Sequence, residues 1–203
     1  LHTAYRRQRQ MCIRDRYGTP DDVQNIPHPI IGYMGTINST RLDGELLYQI
    51  ISQRPDYSFV FTGPEDDGFR QHRIHSLKNA YFTGQKKVDE LPAYITAYDV
   101  CINPQMVNDI TDGNYPLKID EYLAMGKPTV ATSTHTMRHI FADHTHLATN
   151  PEEWLSAIDR AVTEADDKEL AKQRIAFAET HSWGHSVKKI YGIIDNFLKE
   201  KAT

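Results

Sequence analysis

Long apolar runs are missing from this 203-residue chain. None comes near the roughly 20 residues that a bilayer-spanning helix needs, and no signal peptide is visible. Cysteine is scarce: Cys12 and Cys101 stand in unrelated contexts, which excludes a disulfide framework and points to a reducing, cytoplasmic setting. Positive charge is not in excess either. A formal charge of −4 gives no reason to expect nucleic-acid binding or a basic membrane patch. The chain has no P-loop, no nucleophile elbow, and no G-x-G-x-x-G with an acid at dinucleotide spacing, so NAD binding and serine-hydrolase chemistry are not expected. What is present is ordinary: 39% hydrophobic and 25% charged residues, enough for a packed core rather than disorder.

Residues 1–16, LHTAYRRQRQMCIRDR, differ from the rest. Five arginines face one acid, Asp15; without this stretch the chain keeps 18 basic and 26 acidic residues, a formal charge of −8. Met-Cys-Ile-Arg-Asp also resembles a sequencing adapter read as gene, so the segment is set aside as a scar without fold. The rival reading is a basic arm for acidic partners, although it has no helical period. A scar would imply that the natural protein extends further upstream.

Residues 17–29, YGTPDDVQNIPHP, hold three prolines and no period, and read as an interdomain linker. Strand and helix signals then alternate. Strands are expected at 30–35, 57–63, 80–84, 99–104, 128–133 and 146–149, from short apolar or β-branched runs. Helices are expected at 42–55, 70–77, 88–98, 114–126, 136–142 and 150–165, the last opened by Asn150-Pro151-Glu152-Glu153. Two more, near 167–179 and 183–200, have no strand between them. This pattern predicts a Rossmann-like α/β domain over 30–182, a parallel sheet with helices on both faces, followed by a C-terminal helical tail at 183–203. Ligands of such sheets bind at the C-terminal ends of the strands.

The stretch NYPLKIDEYLAMGKP (114–128) carries the strongest chemistry. Pro116 suits the first helical turn, since it lacks the N–H that would be unpaired there. The N–H groups of Leu117, Lys118 and Ile119 would then face an anion, for which a diphosphate is the natural guest, with Lys118 adding a point charge. Glu121, one turn in, is placed to accept both hydroxyls of a ribose. The plainer alternative is that Asp120 and Glu121 only complement the positive helix end. After the first strand, Gly35 and Thr36 would let backbone approach a phosphate or sugar. Gly-Pro at 63–64 suffices as a turn, and Gly84 ends the third strand.

Other groupings carry less. His135 and His139 are spaced i, i+4 but lack the Glu of H-E-x-x-H, and no tight acidic cluster surrounds Asp109 and Asp112, so no metal is expected. Cys101, inside an apolar run, reads as a small hydrophobe.

The run GNYPLKIDEYLAMGKPTVAT, preceded by DVCINPQMVNDIT, resembles the donor-binding, C-terminal half of family 4 retaining glycosyltransferases with the GT-B fold. GYMGTI, RPDYSFVFTGPED, YFTGQKKVDELPAYITAYDV and SWGHSVKKIYGIIDNFL match in the same order, over about residues 26–200, most like bacterial members of the teichuronic-acid and exopolysaccharide type. The resemblance implies that Glu121 holds the donor ribose and that Asn114, Tyr115, Pro116, Leu117 and Lys118 meet the diphosphate. It implies that Gly35 and Thr36 face the donor phosphates and sugar, and that the turn of Gly84, Gln85, Lys86 and Lys87 lies near the base. The donor it implies is a UDP- or GDP-sugar, with no cofactor and no metal, and a leaving diphosphate stabilised by helix dipole and cations.

Two departures stand out. Many members have a second Glu, eight residues before the ribose-binding one, that touches the sugar; here that position is Gly113. The usual Arg and Lys after the first strand correspond to Thr36 and Arg41, so Arg41 and Lys118 become the catalytic candidates. The acceptor, a glycan or lipid-linked glycan, would be held by an N-terminal domain absent from this chain, against which the tail after Trp183 would pack. The fragment alone is then expected to be inactive. Peripheral attachment of the whole protein at the inner membrane face stays open. A non-catalytic nucleotide-sugar binding module and a sugar-nucleotide epimerase of the same fold are the alternatives.

Overall fold

The computed structural model describes residues 17–201, so the adapter-like stretch at 1–16 lies outside the described residues. Six strands form one parallel sheet: β1 (Ile30–Met34), β2 (Ser58–Thr62), β3 (Ala80–Gly84), β4 (Val100–Asn103), β5 (Thr129–Thr132) and β6 (His146–Ala148). Their order is β3-β2-β1-β4-β5-β6, the doubly wound arrangement in which the chain runs outward from β1 in both directions. The helices are α1 (Gly44–Ser52), α2 (Asp67–Arg70), α3 (Leu91–Ala97), α4 (Leu117–Ala124), α5 (Pro151–Thr163), α6 (Lys168–Thr180) and α7 (Trp183–Lys201), with a 3-10 turn at Arg73–Ser76 and a π-helical turn at Met137–Phe141. Every expected strand is present. The helix expected at 70–77 is broken into α2 and the 3-10 turn, and that expected at 136–142 is the π-helical turn.

The four inner strands β1, β2, β4 and β5 are buried along their whole length because both sheet faces are covered, and side chains alternate between the two. Ile31, Phe59, Phe61, Val100, Ile102 and Val130 pack against α1 and α5, around Trp154. Ile30, Met34, Val60, Cys101 and Ala131 point the other way, onto Tyr94 of α3 and onto Ile119, Tyr122 and Leu123 of α4. Burial of Cys101 pushes its thiol up to about 12, which keeps it a packed hydrophobe. The helix starts follow local chemistry. The Asn150 side chain accepts from the Glu153 N–H at α5, and α3 begins at Leu91 rather than 88, which puts Pro92 in its first turn.

One segment behaves differently from its composition. Residues 17–29 read as a linker, yet Val23 and Ile26 are buried in the second cluster and the Asp22 carboxylate accepts from the Tyr94 hydroxyl at 2.7 Å. Two apolar residues without a period were enough to seat it. No helix among the described residues is long and apolar enough to cross a membrane.

Candidate functional site

The strand order reverses between β1 and β4, and there the sheet opens. Pairing of β1 with β2 continues to Met34↔Thr62, whereas pairing with β4 ends at Gly32↔Cys101. Past that point the Met34 N–H, which would have continued the ladder, donates to the Tyr122 hydroxyl of α4 at 2.8 Å. Two loops line the crevice and are stitched together. Asp43 N–H donates to the Pro104 carbonyl at 3.0 Å, and Met106 N–H to that of Arg41 at 2.8 Å.

Helix α4 starts at this crevice. Pro116 is its N-cap, one position earlier than the sequence reading placed it, and no side chain caps the end. The Ile119 N–H is not available to a ligand because it donates to the Pro116 carbonyl at 2.9 Å. The open donors are therefore the N–H groups of Leu117 and Lys118 rather than three. Leu117 itself is 62% exposed, and Asn114 and Glu121 are exposed beside it.

The Lys118 side chain reaches from this first turn to the end of β1. Its ammonium donates to the Tyr33 hydroxyl at 2.7 Å and lies 4.1 Å from that ring's centre, a cation–π contact. Tyr33 in turn donates to the Thr36 carbonyl at 3.0 Å. Burial pushes the Lys118 pKa down to about 8; attraction to Glu121 opposes this, and the Arg41 charge reinforces it. Partial enclosure raises the Glu121 carboxyl, with Lys118 pulling it down and Asp120 pushing it up. Two cations and a carboxylate thus share one crevice. Gly35 makes the approach possible: its φ is +133°, and a Cβ there would stand 2.8 Å from the Lys118 ammonium. Gly63 follows the same logic one strand away, where a Cβ would stand 2.0 Å from the Gly35 carbonyl oxygen.

The remaining candidates divide. Thr36 is exposed at the crevice, and Arg41 is exposed beside it. Tyr115 is in place, but its hydroxyl is committed to Asp120 and its ring leans on Phe141. Gly84 and Gln85 sit exposed at the end of β3, two strands from β1. Lys86 is drawn away: its ammonium pairs with Asp22 at 2.6 Å and lies 5.2 Å from the Tyr94 ring centre, so it faces the 17–29 segment. Gly113 is exposed, with open space around it. The His135 and His139 rings lie 4.2 Å apart, tilted by 51°, and among the described residues no group of three or more His, Cys, Asp or Glu could hold a metal. Sequence reasoning missed Tyr33 and Tyr122. Both look like ordinary alternating or helical core positions, and nothing local marks their hydroxyls.

An open-ended helix, two cations and glycine-lined strand ends meet at the switch point of this α/β sheet, the place where sheets of this kind bind their ligands. The chain belongs to the glycosyl transferases group 1 family, whose pattern matches residues 28–164. It is 27% identical over 168 residues to TuaH of Bacillus subtilis (strain 168), assigned by name to teichuronic acid biosynthesis as a glycosyltransferase; the match covers 79% of this chain and 42% of TuaH. Among solved structures, sucrose-phosphate synthase from Thermosynechococcus elongatus superposes with a TM-score of 0.68 at 19% identity, covering 92% of this chain and 51% of that one. Anabaena HepE in complex with UDP gives 0.68 at 14% identity, covering 91% and 55%. At these identities the likeness concerns the fold. This chain spans about half the length of the relatives it matches.

Proposed function

We propose that this chain is the donor-binding half of a retaining glycosyltransferase that uses a UDP- or GDP-sugar in bacterial cell-surface polysaccharide or glycoconjugate synthesis. The observation that carries the reading is the convergence of Lys118, Arg41 and the uncapped start of α4 on the β1–β4 crevice, with Glu121 one turn away. A diphosphate seated there would meet the Leu117 and Lys118 N–H groups and the two cations, which stabilise charge as the sugar–phosphate bond breaks. The Glu121 carboxylate would take the ribose hydroxyls, and Gln85 would lie toward the base. Neither a metal nor a cofactor has a part in this scheme. The complex of HepE with UDP supports the choice of ligand.

The acceptor, a glycan or lipid-linked glycan, would be held by an N-terminal half. Val187, Ile190 and Ile194 of α7 present an exposed apolar face suited to pack against it. The 203 residues alone are then expected to bind nucleotide and transfer no sugar. Calorimetric titration of UDP and GDP into the wild type and Glu121→Ala tests the site. Equal affinities would remove Glu121 from the ribose role, and sugar transfer by the isolated chain would remove the need for a second half. The second reading, a non-catalytic nucleotide-sugar binding module, is favoured by Gly113, which offers no side chain where the family pattern has a sugar-contacting Glu.

A further inference from the structure

The first turn of α4 carries an acid that does not serve the end of its own helix. Asp120 is placed to complement the positive helix start, yet no side chain caps it. Both carboxylate oxygens are bonded sideways instead. One accepts from the Tyr115 hydroxyl at 2.6 Å, and the other lies 3.1 Å from Nδ1 of His181. The partners come from opposite directions: Tyr115 belongs to the loop entering α4, and His181 ends α6, two residues before α7 begins. Phe141 lies against both rings, 5.5 Å from Tyr115 and 5.8 Å from His181. A first-turn carboxylate freed from these bonds would bring its negative charge nearer the helix start and weaken the hold on an anion there.

We propose that Asp120 is a positioning residue for the nucleoside-diphosphate site, joining the 114–116 loop to the α6–α7 turn through Tyr115 and His181; the inference rests on the donor-site reading above. Two hydrogen bonds hold the carboxylate in one rotamer, turned away from the helix start. The Tyr115 bond also fixes the angle at which the loop enters α4. Breaking either bond releases Asp120 toward the anion site, so the loss is felt in ligand affinity before it is felt in folding.

The test is calorimetric titration of UDP into the 203-residue chain and its variants, with melting temperatures measured in parallel. Tyr115→Phe and His181→Ala are each expected to weaken UDP binding roughly five- to tenfold, the scale of one lost hydrogen bond to a charged group, with melting close to wild type. The double variant is expected to lose less than the product of the single losses, since both act through Asp120. His181→Asn, whose amide nitrogen falls near the Nδ1 position, restores affinity. Wild-type binding with unaltered variants overturns the proposal and leaves the donor reading standing, as does a loss that tracks melting and is not rescued by His181→Asn. A wild-type chain that binds neither UDP nor GDP overturns both.

Discussion

The Lys118 ammonium lies 2.7 Å from the Tyr33 hydroxyl and 4.1 Å from the centre of the same ring, so one tyrosine holds the helix-start cation by its oxygen and by its face. With the Lys118 pKa pushed down to about 8, the ammonium persists below that pH and is lost above it. A diphosphate needs the charged form. UDP affinity is therefore expected to fall as pH rises through about 8, and Lys118→Met to lose both affinity and that pH dependence. Titration across the range checks it.

Folding runs in the opposite direction. Because the folded-state pKa is lowered, the unfolded chain binds more protons between about 8 and the ordinary lysine value of 10.5. Stability contributed at this site is thus expected to rise with pH across that window, the cost of the buried charge being full below it. Lys118→Met is expected to remove the rise and to increase the melting temperature at neutral pH, exchanging function for stability. Urea unfolding on either side of the window measures the slope.

The two glycines at the strand ends give a graded pair. Gly35→Ala places a methyl group 2.8 Å from the tip of a flexible lysine, which can move; Gly63→Ala places one 2.0 Å from a backbone carbonyl, which cannot. Both residues also sit at positive φ. Gly35→Ala is expected to cost about 1–3 kcal/mol and to weaken UDP binding through a displaced Lys118. Gly63→Ala is expected to destabilise more and to fold poorly, as thermal melts would show.

Much of the fold was legible because it is written at short range. Short apolar and β-branched runs mark Ile30–Met34 and Ser58–Thr62 as strands, and Asn150-Pro151 announces α5 within two residues. The start of α4 was legible for the same reason, though not its details. A proline can be N-cap or N1, and only the Ile119 N–H bond to the Pro116 carbonyl separates them. Contacts that cross the chain left no trace. Tyr33 meets Lys118 across 85 residues and Asp120 meets His181 across 61. Lys86 meets Asp22 across 64 residues. The burial of Val23 and Ile26 within 17–29 was hidden in the same manner, since composition does not show their partners.

Tyr122 closes the gap where β1 and β4 part. Its hydroxyl accepts the Met34 N–H at 2.8 Å in the buried core. Tyr122→Phe preserves the ring and strands that N–H without a partner. A loss of about 1–3 kcal/mol in urea unfolding is expected, the cost of an unsatisfied buried donor. UDP affinity is expected to fall as well, since the end of β1 and the start of α4 both depend on this bond.

Gly113 separates the two functional readings. No heavy atom beyond its chain neighbours lies within 4 Å of a Cβ built there, and its φ is not positive, so Gly113→Glu meets neither steric nor backbone resistance. Melting is expected to stay at the wild-type temperature. If the chain is the donor half of a transferase whose sugar contact has been lost, a carboxylate at 113, eight residues before Glu121, supplies an acceptor for sugar hydroxyls. The ratio of UDP-sugar to UDP affinity is then expected to rise several-fold, by the scale of one or two charge-assisted hydrogen bonds. A module that binds only the nucleotide has no sugar in reach of position 113, and its ratio stays unchanged. Parallel titrations of UDP, UDP-glucose and their GDP counterparts into Gly113→Glu decide between them.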